Sequence, residues 1–241
     1  MDRRFSRTEL LIGREGLSRL AAARVCVFGL GGVGSFAAEA LCRAGVGGFI
    51  LVDSDVVDVS NINRQLHALD HTVGSPKVEL MARRMAGINP SAGVHTYFER
   101  LKPGEEERFL KPGPDYVVDA IDDVTAKVEL LKYCVTKGVP VVSSMGAGNK
   151  LDPAAFKVAD ISETSVCPLA RAVRRRLRQE GVERGIKVVY STEKPMTSGA
   201  GGGGDHGEKS PPGSISFVPP VAGLILAGLV VTDLLHNKKP F

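Results

Sequence analysis

Tryptophan is absent from the chain and aromatic residues make up only 5% of it, while 43% of its residues are hydrophobic and 24% charged. That balance is the composition of an ordinary soluble globular protein. Charge of one sign is also scarce: the formal net charge of +4 is weak support for a polyanionic partner, so the placement of the charges matters more than their sum. The four cysteines, Cys26, Cys42, Cys134 and Cys167, form no C-x-x-C pair. The opening "MDRRFSRTE" has no apolar core of the kind a signal peptide needs. Free thiols in a reducing cytoplasm are therefore expected, with Cys26 and Cys42 serving as small buried hydrophobes. Long apolar runs are missing too. The most hydrophobic, "VAGLILAGLVVTDLL" (residues 221–235), is shorter than the roughly 20 residues of a spanning helix and carries Asp233 near its end. A helix over about 219–235 is expected, opened by Pro219 and Pro220 and buried or at a subunit interface, with no membrane insertion. Gly223, Ala227 and Gly228 would let another helix come close.

What the chain does have is a β/α rhythm. "RVCVFG" reads as a first strand and "VGSFAAEALCRAG" as the helix after it. "GFILVD" follows as a strand and "SPKVELMARRMAGIN" as a helix, with Ser75 as its cap and Pro76 at its first position. "GVHTYFE", "DYVVDAI" and "VPVVSS" are further strands, and "DVTAKVELLKYCVTKG" another helix. Continuous apolar strands alternating with helices predict an α/β fold, a Rossmann-like doubly wound and mainly parallel sheet with helices on both faces. One domain is expected over residues 1–241, with a C-terminal extension. "FKVADI" and "IKVVYS" read as strands flanking an arginine-rich helix, and residues 194–213, rich in glycine and proline, as a flexible loop.

The chemistry starts at "VCVFGLGGVGSFAAEAL" (residues 25–41), which carries Gly29-x-Gly31-x-x-Gly34 between a strand and a helix. Such a turn lets backbone approach a phosphate at a helix amino terminus, and Asp53 at the end of the next strand suits ribose hydroxyls. NAD and ATP fit this much equally well. Further on, Asn61, Asn63, Arg64 and Gln65 cluster past the second strand, and Arg64 offers a planar fork suited to phosphate oxygens. Lys77 sits in the first turn of a helix, where a cation is slightly disfavoured unless a polyphosphate lies nearby. Together they favour a triphosphate over a dinucleotide. The fourth strand ends in "DAIDD", where Asp122 could hold magnesium against phosphate oxygens, and Asp119 or Asp123 could instead support a turn or cap a helix.

"GLGGVGS", "VDSDVVDVSNINRQ", "SPK" and "DAIDD" together resemble the ubiquitin-activating-enzyme-like adenylyltransferases, which include the activators of sulfur-carrier proteins. The resemblance implies that Gly29, Gly31 and Gly34 line an ATP site and that Asp53 binds the ribose. It further implies that Asn61, Arg64 and Lys77 handle phosphates and that Asp122 holds Mg2+; the same motifs add Gly32, Asp55 and Gln65 to the nucleotide site. "RFSR" is similar to a segment that carries an arginine into the partner subunit's ATP site, which makes Arg7 a catalytic candidate and implies a homodimer. Zinc is not expected, because the C-x-x-C pairs of many relatives are missing; an alkali metal ion is a further candidate ligand. "SMGAGNKLDP", "VVYSTEKP" and "PPGSISFVPPVAGLI" look like the bacterial tRNA threonylcarbamoyladenosine dehydratases. In that family ATP activates the threonyl carboxylate of a modified adenosine in tRNA, and attack from within the same side chain closes a ring. A sulfur-relay protein is a further candidate partner. The rival readings are an adenylyltransferase acting on the C-terminal glycine of a small sulfur carrier, and an NAD-dependent oxidoreductase.

"PLARAVRRRLRQ" is the one segment that suggests RNA by itself. At helical spacing Leu169, Val173 and Leu177 share one face, and Arg171, Arg174, Arg175 and Arg178 the other, with no acid among them. Such a stripe suits a phosphate backbone. Cys167 precedes this helix, whose amino terminus would lower a thiol's pKa, although the resemblance does not point to that position.

Overall fold

The computed structural model describes residues 3–196 and 212–236; the loop expected over 194–213 lies mostly outside the described residues. A 3-10 turn leads into helix α1 (Ser6–Ala22), which kinks at Gly13. Strand β1 (Arg24–Phe28), helix α2 (Gly34–Ala44) and strand β2 (Gly48–Val52) follow. After two 3-10 turns come α3 (Lys77–Ile88), β3 (Gly93–Tyr97), α4 (Glu106–Leu110), β4 (Tyr116–Asp119), α5 (Val124–Lys137) and β5 (Val141–Ser144). The remaining elements are β6 (Phe156–Asp160), α6 (Pro168–Gln179), β7 (Lys187–Ser191) and α7 (Val218–His236). Helix α4 has no counterpart in the sequence reading; it is too short for periodicity to show, and Phe109 anchors it in the core.

The seven strands lie in the order β3-β2-β1-β4-β5-β7-β6. Every neighbouring pair is parallel except the terminal β6–β7 pair. Alternation along the strands divides the core. Cys26, Phe28, Ile50 and Val52 point to the face covered by α4, α5 and α6. Val25, Val27, Phe49 and Leu51 point to the face covered by α1, α2, α3 and α7. The sheet is the doubly wound one that the β/α rhythm predicts. Cys26 and Cys42 are both fully buried, and burial pushes the Cys42 thiol up to about 11.

Two local expectations are corrected. Ser75 does not cap α3: Pro76 occupies the N-cap position without a side-chain bond, and Lys77 is the first helical residue. Backbone bonds from the preceding loop take up this entry, since Val57 N–H donates to Ser75 and Lys77 N–H to Asp55. The C-terminal helix has 19 residues, one more at each end than the expected 219–235, and by length and composition alone it could cross a membrane. Half of its most apolar stretch is instead buried inside the fold. Gly223 makes this burial feasible, since a Cβ there would lie 2.3 Å from the Val33 carbonyl oxygen at the start of α2. Ala227 is buried as well, whereas Gly228 faces outward with nothing around it. Asp233, far from being a polar break, accepts hydrogen bonds from the Tyr116 hydroxyl at 2.7 Å and Lys187 Nζ at 2.5 Å. This is a satisfied buried network that ties α7 to β4 and β7.

Gly223→Ala should therefore destabilise the protein by about 1–3 kcal/mol through overpacking, and Gly228→Ala should not. Urea unfolding of the two variants beside the parent measures the difference; equal midpoints would show that α7 does not depend on this contact.

Candidate active site

Strands β1 and β4 are neighbours in the sheet although β2 and β3 intervene in the chain. Chain order reverses there, so the loops leaving their carboxyl ends part and open a crevice. Gly29 follows β1 with φ +82, a conformation that strains other residues, and a Cβ on it would lie 2.7 Å from the Ala120 carbonyl oxygen beyond β4. At Gly34 a Cβ would lie 1.8 Å from the Gly29 carbonyl oxygen. Helix α2 thus starts pressed against the end of β1. Gly31 is different: only Gln65 Nε2, at 4.0 Å, approaches its missing side chain, and it opens on a cavity of about 600 Å³. The N–H groups of Gly31 and Gly32 have no acceptor among the described residues, so donors at the positive end of a helix dipole stand free for an anion.

The cavity gathers most of the residues singled out by the sequence: Gly29, Gly31, Gly32, Asp53, Asp55, Asn61, Arg64, Gln65, Lys77 and Asp122 all line it. Gly34 lies just behind. Asp53 accepts from Leu30 N–H at 2.6 Å through one oxygen and from Asp55 N–H at 2.8 Å through the other. Burial nevertheless pushes its carboxyl above the usual carboxylate range. Asn61 is buried and closes a capping box with Asp58, its Oδ1 accepting from Asp58 N–H. Arg64 is held by the Ser60 carbonyl and Asn63 Oδ1, both at 2.9 Å, which use one of its guanidinium nitrogens. Lys77, 4% exposed, reaches Asp55 Oδ2 at 2.8 Å, while that carboxylate is half open to solvent. Gln65 Oε1 is buried with no partner, an acceptor left over in the wall of the cavity.

On the β4 side the three aspartates separate in role. Asp119 is fully buried and binds Lys127 Nζ and Ser143 Oγ, each at 2.6 Å. Lys127 completes its three donors on Ser143 and the Ser144 carbonyl. Asp123 caps α5 by accepting from Ala126 N–H at 2.8 Å. Asp122 has no protein partner among the described residues and projects an open carboxylate at the cavity. One free carboxylate, in a cavity that also presents the free N–H groups of Gly31 and Gly32, suits a hard divalent cation held together with an anionic ligand.

The remaining expected residues lie elsewhere. Arg7 is exposed on α1 and does not line the cavity of its own chain. On α6, Ala170, Val173 and Leu177 form the buried face, with Leu169 partly buried beside them. Arg171, Arg175 and Arg178 are exposed, but Arg174 is not free to join them. Its guanidinium donates to the Thr164 carbonyl and hydroxyl, both at 2.6 Å. Cys167 is 2% exposed behind the left-handed Val166, so its thiol is closed off. Sequence reasoning also missed a cavity wall: residues 99–103, the loop after β3, line it without any motif to mark them.

His67, between Gln65 and Lys77, is 4% exposed and neither ring nitrogen has a hydrogen-bond partner. Burial, with the charges of Lys77 and Arg84, holds its pKa down at about 4. The unfolded chain binds that proton more readily, so the stability due to neutral His67 is complete above its ordinary pKa and is lost as pH falls toward 4. His67→Leu should remove about 3 kcal/mol of the stability lost between about pH 7 and pH 4. Urea titrations at the two pH values test this; an unchanged difference would refute it.

The fold agrees with known proteins that the chain resembles. The ThiF family profile matches residues 5–240. The tRNA threonylcarbamoyladenosine dehydratase of Bacillus subtilis is 49% identical over 98% of this chain and 96% of its own length. The E. coli tRNA N6-threonylcarbamoyladenosine dehydratase, solved in complex with ATP, superposes with a TM-score of 0.88 at 36% identity, covering 97% of this chain and 94% of that one. The molybdopterin-synthase adenylyltransferase of Salmonella typhimurium is 40% identical, but over only 58% of this chain and 57% of its own length.

Proposed function

Because this chain belongs to the ThiF family, we propose that it is an ATP-dependent tRNA threonylcarbamoyladenosine dehydratase that adenylates the threonyl carboxylate and lets it cyclise. The observation that carries this reading is the convergence of the free N–H groups at Gly31 and Gly32, the carboxyl of Asp53, the cations Arg64 and Lys77, and the open Asp122 on one cavity at the β1/β4 switch point. The near full-length likeness to the Bacillus subtilis dehydratase supports tRNA over a small sulfur-carrier protein as the substrate, since the likeness to the molybdopterin-synthase enzyme stops at little more than half the chain.

A carboxylate is a poor electrophile. In the proposed reaction one of its oxygens attacks the α-phosphorus of ATP, the bond to pyrophosphate breaks, and the acyl group is left on AMP, a good leaving group. A nucleophile of the same side chain then attacks the acyl carbon, AMP departs, and the net change in the nucleoside is loss of one water. Tethering supplies much of the rate of the second step, so no enzyme thiol is needed, consistent with the enclosed Cys167. The protein's task is mainly to neutralise charge. Arg64 and Lys77 serve the phosphates, and Lys77 would exchange its solvent-exposed partner Asp55 for a phosphate oxygen. Asn61, Gln65 and Gly32 complete the wall, and Gly29 and Gly34 shape the turn. Asp122 would hold Mg2+, which screens the phosphates when bound.

We also propose that the whole chain, residues 1–241, works as one adenylating domain and as a cytoplasmic homodimer, with Arg7 entering the partner's site. The exposed Leu10 and Leu11, at 78% and 87%, lie beside Arg7 on α1 and would be covered by a second copy. The exposed Arg171, Arg175 and Arg178 would meet the tRNA backbone.

Modified tRNA incubated with the protein, ATP and Mg2+ should yield a nucleoside lighter by one water on mass spectrometry. Lys77→Ala and Arg64→Ala should each lower that rate by about 10²–10³-fold with the fold retained. Unaltered turnover, or adenylation that requires a small protein in place of tRNA, would overturn the assignment. For Arg7, mixing and reassembling the Arg7→Ala and Lys77→Ala proteins should restore about a quarter of the parent activity, because one site in each mixed dimer is complete. No recovery would exclude action across the dimer.

A further inference from the structure

One stretch of the cavity wall is built from two distant parts of the chain: Ala147 and Gly148, beyond the end of β5, and Pro212 and Ser214, ahead of α7. A single residue, Asn149, joins them. Its N–H donates to the Gly213 carbonyl at 2.7 Å, and Gly213 N–H donates back to Asn149 Oδ1 at 2.6 Å. The Asn149 carbonyl also accepts from Met196 N–H at 2.8 Å, so the chain leaves this residue at 196 and returns to it at 213.

Two features make room for the contact. A Cβ at Gly148 would lie 2.9 Å from Pro212 Cβ. Asn149 itself takes a φ of 57, a left-handed conformation that asparagine adopts more readily than most residues bearing a side chain. A costly backbone conformation beside a cavity, kept by a reciprocal pair of bonds, points to a function for the placement it fixes. The far end of this strap is held by Asn63. Its Nδ2 donates to the Ser214 carbonyl at 2.9 Å while its Oδ1 accepts from Arg64 Nη1 at 2.9 Å. One carboxamide thus joins residues 212–214 to a cation assigned to the phosphates.

The order of the sheet says which part of the reaction the strap faces. Asp53 follows β2 on one side of β1, and β5 lies on the other side, beyond β4. With the ribose on the Asp53 side and the phosphates at the Gly31–Gly32 turn, the β5 side is left for the group that attacks the α-phosphorus. We propose that Asn149 and Asn63 are positioning residues that together clasp residues 212–214 as the wall against which the substrate's carboxylate is set for attack. This inference rests on the function proposed above. Neither asparagine lines the cavity, so each acts through the strap, and Asn63 through Arg64 as well.

The test measures steady-state dehydration by the full-length protein, varying modified tRNA and ATP in turn. Asn149→Gly keeps the left-handed backbone and removes the acceptor for Gly213. It should lower kcat/KM for modified tRNA about tenfold and leave the KM for ATP and the melting temperature at parent values. Asn63→Ala should lower kcat/KM for modified tRNA about tenfold and also raise the KM for ATP, because Arg64 loses a bond that holds it. Parent protein that removes no water from modified tRNA would refute the proposed function and the clasp with it. With an active parent, an unaltered kcat/KM for modified tRNA in Asn149→Gly would overturn the clasp alone. So would a lowered melting temperature, or parallel changes for tRNA and ATP in that variant, since these mark a merely structural role.

Discussion

The contact on which the site depends is the one between the Gly29 carbonyl and Gly34. Where another residue would place a Cβ 1.8 Å from that oxygen, glycine lets the first turn of α2 rest on the end of β1. The helix axis is thereby aimed so that the N–H groups before it face the crevice between β1 and β4. The next layer follows from the same geometry. Helix α7 crosses the start of α2 through Gly223, and Pro219 at its own start comes close to Gly32. The start of the C-terminal helix is thus part of the cavity, and Pro212, Ser214 and Pro219 form a stretch of its wall.

Charge is graded around this contact by how fully it is paired. Asp119 and Lys127 are both completely buried and satisfy each other with Ser143 and Ser144, linking β4, β5 and α5. Breaking such a pair is costly, while keeping it adds little net stability, so its effect is to hold one arrangement of the switch point. Lys77 is buried but paired with a half-exposed carboxylate, an exchange that a phosphate can win. Asp122, Arg100 and Lys102 are unpaired among the described residues. The deepest charges keep the shape of the cavity, and those nearer solvent are left for ligands.

The β/α rhythm was legible because buried parallel strands are short continuous apolar runs and the helices between them repeat at 3.6 residues. The glycine turn was legible because a left-handed φ and a missing Cβ are requirements on residue type at fixed spacing. Helix α4 was not, being shorter than any period, and neither was the entry to α3, where bonds from the loop at Asp55 and Val57 displaced the expected serine cap. Arg174 looked like its neighbours in the basic stripe until Thr164, ten residues earlier, turned out to accept from it twice.

Gly29, Gly31, Asp53, Arg64, Lys77 and Asp122 could be named in advance because each stands in a local pattern whose chemistry is readable from its immediate neighbours. Their meeting in one cavity, the burial of α7 and Asp233, and the cavity wall formed by residues 99–103 rest on contacts between segments far apart in the chain. Residue type and spacing carry no record of such contacts, since a side chain's partners across the fold depend on how the sheet orders its strands and which faces its helices cover. The glycine-rich turn pointed to a nucleotide from its own residues; packing placed the loop after β3 and the start of α7 around it.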